Sequence, residues 1–344
     1  MDRRPTCGIL LANTGSPQAP TKREIKRFLG RFLMDRRIAP TNRVFWWLLL
    51  HLHILPLRGK RNVGRYEEIW TDEGNPLLVA QQRLAWGLQK AYESDPTKSI
   101  AVTCGMNYSS PDTLEGIKHL KEIGCEQILV LPLYPQSAYS TTGSVYDAVE
   151  RVSSKLKLTT PCDLIDNYYD NSTYIRAIAA SIKHAGFNVD SDDRLLFSFH
   201  SIPLIDIENG DTYEPQTSSS SLSIAGELGI DRKRWTIGYQ CRFDKGREWL
   251  KPDSRDILSR WAESSGGRVF VVCPGFAIDC LETLFDVERE YRTHYLNACR
   301  AAGKQVSEHD FIYVPCLDKS KAHVRVLKDV LDPYLEELNN GETR

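Results

Sequence analysis

The stretch RVFVVCPGFAIDCLETLFDVEREY, Arg268 to Tyr291, decides how the chain is read. Arg268 to Cys273 is a short, apolar, β-branched run, the pattern of a buried strand, and Pro274-Gly275 breaks it before a helical pattern begins. In open α/β sheets chemistry gathers at the carboxyl ends of strands, so this break marks a candidate site. In the helix beyond it Glu282, Asp286 and Glu290 recur at every fourth position, and on an α-helix they share one face with little to relieve their repulsion. Such a row invites a cation. The plain alternative is a solvated acidic face. Glu282 lies close to the strand-to-helix turn, where the helix dipole also favours an acid, and that position supports the cation reading.

Working outward, 344 residues with 41% hydrophobic and 26% charged side chains fit a globular chain of one large or two medium domains. The formal net charge of −1 selects no partner by itself, and nucleic acid is not expected. No run reaches the roughly 18 apolar residues of a membrane span, and MDRRPTCGILL passes straight into a strand pattern without a cleavage site. A cytoplasmic location is expected. The nine cysteines are scattered, with no CxxC pair, which argues for reduced thiols.

Strand patterns alternate with helical ones along most of the chain, which predicts parallel sheets. Strands are expected at Cys7–Asn13, at 99–104, at 127–133, at 194–199 with His200 closing it, at 235–240, in the anchor stretch and at 310–314. Thr14-Gly15-Ser16-Pro17 is a sharp turn at the end of the first. The hydroxyl-rich segment from Tyr134 to Ser144 follows the third, where it suits an anion or the capping of the next helix. The polar segment 208–221 reads as serine caps for a helix at 222–229 or as a mobile stretch. GILLANTGSP and RLLFSFHSIP share a plan, as do QILVLPLYPQ and RVFVVCPGFA, so two similar α/β domains are expected, 1–160 and 161–321. The amphipathic helix 322–344 is assigned to the first.

Residues 22–65 differ from the rest, with twelve Lys or Arg against two acids. Within them RVFWWLLLHLHILPLR, too short to span a bilayer, carries paired tryptophans and basic flanks. It reads as an interfacial segment, a greasy lip beside an apolar pocket, or a buried core helix.

SFHSIP, CPGFAIDCLETL, LPLYPQ with STTGS, and the run from FLMDRRI through WWLLLHLHILPLR to IWTDEGNPL resemble ferrochelatase, the enzyme that inserts iron into porphyrin to make haem. The resemblance runs from about Gly8 to Cys316. It implies two Rossmann-like, chelatase-type domains whose parallel sheets face a central cleft. It also implies that His200 and Glu282 are the catalytic pair, that His200, Glu282, Asp286 and Glu290 handle metal, and that Asn13, Thr14, Tyr108, Tyr139, Ser140, Thr141 and Phe276 contact the macrocycle. Fe²⁺ is then a substrate, no cofactor is required and no iron-sulfur cluster is expected. The lip and Thr14 point to protoporphyrin IX, with coproporphyrin III as the alternative substrate and a non-catalytic porphyrin or haem carrier as the remaining reading. Peripheral contact with the inner membrane surface is implied by the lip. The sequence departs from the family's pattern at Ser137, Ser201 and Cys241, and Asn107 stands where many members have Arg.

Overall fold

The computed structural model describes residues 6–339 except residues 40, 95–98, 243, 245 and 265–266. Strand β1 (Cys7–Asn13) is buried along its whole length. It lies second in a parallel sheet of order β2-β1-β3-β4, with β2 Ile100–Met106, β3 Gln127–Pro132 and β4 Cys162–Leu164. A strand covered on both faces has no use for polar alternation, hence the unbroken apolar run. Helix Thr113–Glu122 packs directly on β2: a Cβ at Gly116 would lie 2.8 Å from the Cys104 carbonyl oxygen, a contact only glycine tolerates. Its start is fixed by a capping box between Asp112 and Glu115.

The second sheet repeats the first. Its order is β6-β5-β7-β8, with β5 Arg194–His200, β6 Trp235–Gln240, β7 Val269–Val272 and β8 Phe311–Val314, again all parallel. The echo in the sequence is therefore an echo in topology: GILLANTGSP supplies β1 where RLLFSFHSIP supplies β5, and β3 corresponds to β7. In each sheet the chain steps to one side of its first strand and then crosses to the other. The switch points fall between β1 and β3 and between β5 and β7, where ligands bind at strand carboxyl ends.

Two compact units result, one built on residues up to Asn167 and again from Lys319, the other on Tyr168–Asp318. Helix Lys321–Asn339 belongs to the first unit, with Val326, Leu327, Leu331 and Leu335 buried. The Tyr92 hydroxyl at the end of helix Pro76–Glu93 donates to Asp332 at 3.3 Å.

Two segments differ from expectation. The polar stretch is neither cap nor mobile: helix Tyr213–Leu228 runs through all of its serines. Thr217, Ser220 and Ser221 are buried, Ser221 donates to the Thr217 carbonyl at 2.8 Å and Ser220 to the Tyr169 carbonyl at 2.9 Å. Small side chains that satisfy their hydroxyls on nearby carbonyls let the helix pack closely. The lip is no buried core helix. It forms helix Arg43–Leu49, a wide π turn at Leu50–Ile54 and helix Leu55–Ile69, and Val44 is 72%, Phe45 64%, Leu52 64% and Leu57 73% exposed. No helix among the described residues is long and apolar enough to cross a membrane.

Candidate functional site

His200 ends β5 on the switch-point side, paired in register with Gln240 of β6. Its Nδ1 lies 2.7 Å from the Ser201 carbonyl oxygen. A carbonyl can only accept, so Nδ1 carries the proton and Nε2 of the neutral ring keeps its lone pair. This bond fixes a base or a metal donor. The Ser201 carbonyl is itself held by its surroundings: the Ser201 amide donates to the Gln240 carbonyl at 2.8 Å and its hydroxyl to the Leu250 carbonyl at 3.1 Å.

Across the switch point, β7 ends at Cys273-Pro274-Gly275, with the Phe276 amide bonded to the Cys273 carbonyl at 3.0 Å. The Pro274 carbonyl accepts from the Tyr174 hydroxyl at 2.6 Å. A buried clasp then sets where the next helix starts. Thr283 Oγ1 accepts from the Cys280 amide at 2.9 Å and donates to Asp279 Oδ1 at 2.8 Å, and the Tyr313 hydroxyl donates to that same oxygen. Burial raises the Asp279 pKa above its ordinary value, with the Tyr313 and Thr283 hydrogen bonds opposing it.

The helix so started is not α-helical. Glu282–Tyr291 is a π-helix, continued by the α-helix Arg292–Ala301. Its buried residues Thr283, Val287 and Tyr291 recur every four residues, as do Glu282, Asp286 and Glu290. A strict repeat of four outruns an α turn of 3.6 residues and lags an i→i+5 turn of about 4.4. Both rows therefore hold their faces about as well on the wider turn. Each acid is half-buried and has a different neighbour. The buried Cys280 thiol is pushed up by burial and then by the nearby Glu282 carboxylate. Asp286 accepts from Cys241 Sγ at 3.5 Å, and Glu290 pairs with Arg255 at 2.7 Å. Cys241 sits at φ +61, so a left-handed residue turns its thiol to the row. Among the described residues no three His, Cys, Asp or Glu side chains gather as one metal-holding group.

In the first unit the expected macrocycle contacts lie at the end of β1, just after β2 and in the loop after β3. Asn13 Oδ1 accepts from the Thr14 amide at 2.8 Å, and Thr14 Oγ1 lies 2.7 Å from the Tyr134 hydroxyl. Tyr108 is buried and donates to Asp35 at 2.6 Å, burial and then that carboxylate raising its phenol. Tyr139 is 46% exposed, and the carbonyl of Ser140 accepts from Ser144 at 3.1 Å. Thr141 Oγ1 donates back to the Ala138 carbonyl at 3.4 Å, while Phe276, in the second unit, packs half-buried against the apolar cluster to which Val287 and Tyr291 belong. Asn107 accepts from Thr113 Oγ1 at 3.4 Å.

A ferrochelatase family profile matches residues 6–334. The chain belongs to the ferrochelatase family. It is 37% identical to the ferrochelatase of Nitrosococcus oceani over 96% of this chain and 87% of that one, and 37% identical to the ferrochelatase of Haemophilus influenzae strain Rd over 93% and 95%. It is an enzyme that inserts metal into porphyrin. Among solved structures SirB from Bacillus subtilis, determined with Fe³⁺, shares the fold, with TM-score 0.56 and 11% identity over 97% of this chain and 98% of that one. For this ferrochelatase, sequence reasoning passed over Asp279 and Arg255 and took Tyr134 only as the start of a hydroxyl-rich segment. Asp279 stood in plain view in the motif CPGFAIDCLETL, but nothing there shows an acid turned inward. Arg255 carried no signal, since its partner lies 35 residues away.

Proposed function

We propose that the enzyme inserts Fe²⁺ into protoporphyrin IX and releases two protons, with His200 and Glu282 as its catalytic residues. The observation that carries this is the tautomer of His200, whose Nδ1 bond to the Ser201 carbonyl leaves Nε2 basic. Metallation exchanges two pyrrole N–H bonds for metal–nitrogen bonds, so a neutral imidazole is the group the step needs. Glu282 holds the incoming ion, and Asp286 and Glu290 pass it inward, each a hard oxygen donor suited to Fe²⁺. A row of acids along one helix suits a cargo ion better than a closed cage, which would retain it. Iron is a substrate here, and the reaction is redox-neutral and needs no further cofactor or iron-sulfur cluster. Asn13, Thr14, Tyr108, Tyr139, Ser140, Thr141 and Phe276 contact the macrocycle.

The choice of protoporphyrin rests on the apolar lip. Phe45, Trp47, Leu48, Leu52 and Leu57 are exposed on one short segment flanked by basic residues. Such a surface suits an apolar ring and peripheral contact with an anionic membrane face, with the rest of the enzyme in the cytoplasm. The test is anaerobic Fe²⁺ insertion, followed by absorbance, with protoporphyrin IX and coproporphyrin III side by side. Faster turnover of protoporphyrin is expected. Preference for coproporphyrin III would overturn the substrate, and binding without turnover of either would favour a carrier.

A further inference from the structure

The turn that precedes the exposed arm is tied to the loop after β3 by a single side chain. Arg37 Nε donates to Asp147 Oδ2 at 2.7 Å and Nη2 to Asp147 Oδ1 at 2.8 Å, a two-pronged pair on helix Thr142–Leu156. The same guanidinium lies over the Tyr139 ring, 4.4 Å from its centroid, and Nη1 reaches the Tyr139 carbonyl at 3.5 Å. It also fills the space above Gly143, where an added Cβ would lie 2.4 Å from Nη1 and 2.9 Å from Cζ. One planar group thus covers both ends of the turn 139–143. Lysine cannot replace it, because an ammonium neither forks to a carboxylate nor stacks flat on a ring.

The base of this clamp is fixed as well. The Arg37 amide donates to Asp35 Oδ1 at 2.8 Å, and the other Asp35 oxygen accepts from Tyr108 at 2.6 Å. The arm starts a few residues later: the Arg43 guanidinium donates to the Met34 carbonyl and the Trp46 indole N–H to the Leu33 carbonyl at 2.6 Å. Arm, clamp and loop are consecutive links.

We infer that Arg37 is a positioning residue for porphyrin binding, holding the Tyr139–Gly143 turn in its binding shape and coupling it to the apolar arm through Asp35 and Asp147. This rests on the reading of Tyr139, Ser140 and Thr141 as macrocycle contacts. The partners described for Arg37 are Asp147, Tyr139 and Asp35, so its loss weakens capture of the ring without slowing the chemistry.

Steady-state insertion and porphyrin affinity by fluorescence quenching test this on Arg37→Ala, Arg37→Lys, Gly143→Ala and the double variant Arg37→Ala/Gly143→Ala, each first checked for folding by circular dichroism. Arg37→Ala should raise the porphyrin KM and Kd about tenfold, with kcat and the KM for Fe²⁺ within about twofold. Arg37→Lys should fall in between. Gly143→Ala leaves both ion-pair partners in place and displaces only the flexible end of Arg37, so it should fold and reproduce the defect. The double variant should be no worse than Arg37→Ala, because the methyl group then has nothing to displace. Unchanged porphyrin affinity in the single variants, effects that multiply in the double, or a loss confined to kcat would each overturn the assignment. A wild-type enzyme that turns over normally while the variants are indifferent removes only this inference. A wild-type enzyme that neither binds nor metallates porphyrin removes the functional reading as well.

Discussion

Strands β1 and β5 hold the same place in two sheets of the same order, yet their ends are chemically opposite. β1 runs into Asn13 and Thr14, whose polar atoms are engaged by each other and by Tyr134 at 2.7–2.8 Å. β5 ends in His200, whose one described bond leaves a basic nitrogen. Hydroxyls and amides orient a ligand but do not take a proton from it near neutral pH; an imidazole does. Repeating a fold therefore yields two switch points, and under the proposed function His200 and the acid row make one of them the reacting end and the other the holding end.

The largest break in that comparison is His200→Ala. It should lower kcat by about 10³-fold and leave porphyrin affinity nearly unchanged, read by insertion rate and fluorescence quenching. Retained turnover would place the chemistry elsewhere. Glu282→Gln should cost about 10²-fold in kcat, whereas Asp286→Asn should raise the KM for Fe²⁺ about fivefold at nearly constant kcat. Equal losses from the two would mean that the row is not graded. On the holding end, Thr14→Val removes the hydroxyl bonded to Tyr134 and should change porphyrin KM by about threefold, the smallest kinetic effect of the set. A loss as large as that of His200→Ala would erase the distinction between the ends.

The opposite, amino-terminal end of the central strands of the second sheet offers a stability test. Asp193 and Arg268 directly precede β5 and β7, and the buried carboxylate accepts from Arg268 Nη2 at 2.7 Å and Nε at 3.1 Å. Burial pushes the Asp193 pKa up, but Arg268 and the Asn188 amide outweigh it and hold the carboxyl below its ordinary value. Asp193→Asn should destabilise this unit by about 2 kcal/mol, less than a fully buried pair because Arg268 is partly exposed. A depressed folded-state value means the contribution is present above the unfolded carboxylate value of about 3.9 and is lost as pH falls through the lower folded value. Denaturant midpoints from pH 7 down to pH 2 should therefore converge for the two proteins at the acid end. A constant gap would assign the effect to packing.

The strands were legible because chains buried on both faces leave continuous apolar runs ended by proline or glycine, as at Val272 and Pro132. The positions of His200 at a strand end and Glu282 at the start of the helix after β7 were legible because motif and strand end coincide. Three features were hidden for physical reasons. The serines of helix Tyr213–Leu228 have weak helical preference, and only packing against a neighbouring helix reveals why small side chains belong there. The π-helix was hidden because a four-residue repeat sits between two helical periods. The Arg37 clamp was hidden because its carboxylate lies 110 positions along the chain. Local pattern carries no record of such a pairing.

Helix Lys321–Asn339 closes the first unit by packing on helix Pro76–Glu93, although all of Tyr168–Asp318 intervenes. During synthesis, domains fold as units as they emerge. The central unit is released whole while the first still lacks the helix that packs on Gly87 and Tyr92, so the unit begun first is the last to be finished.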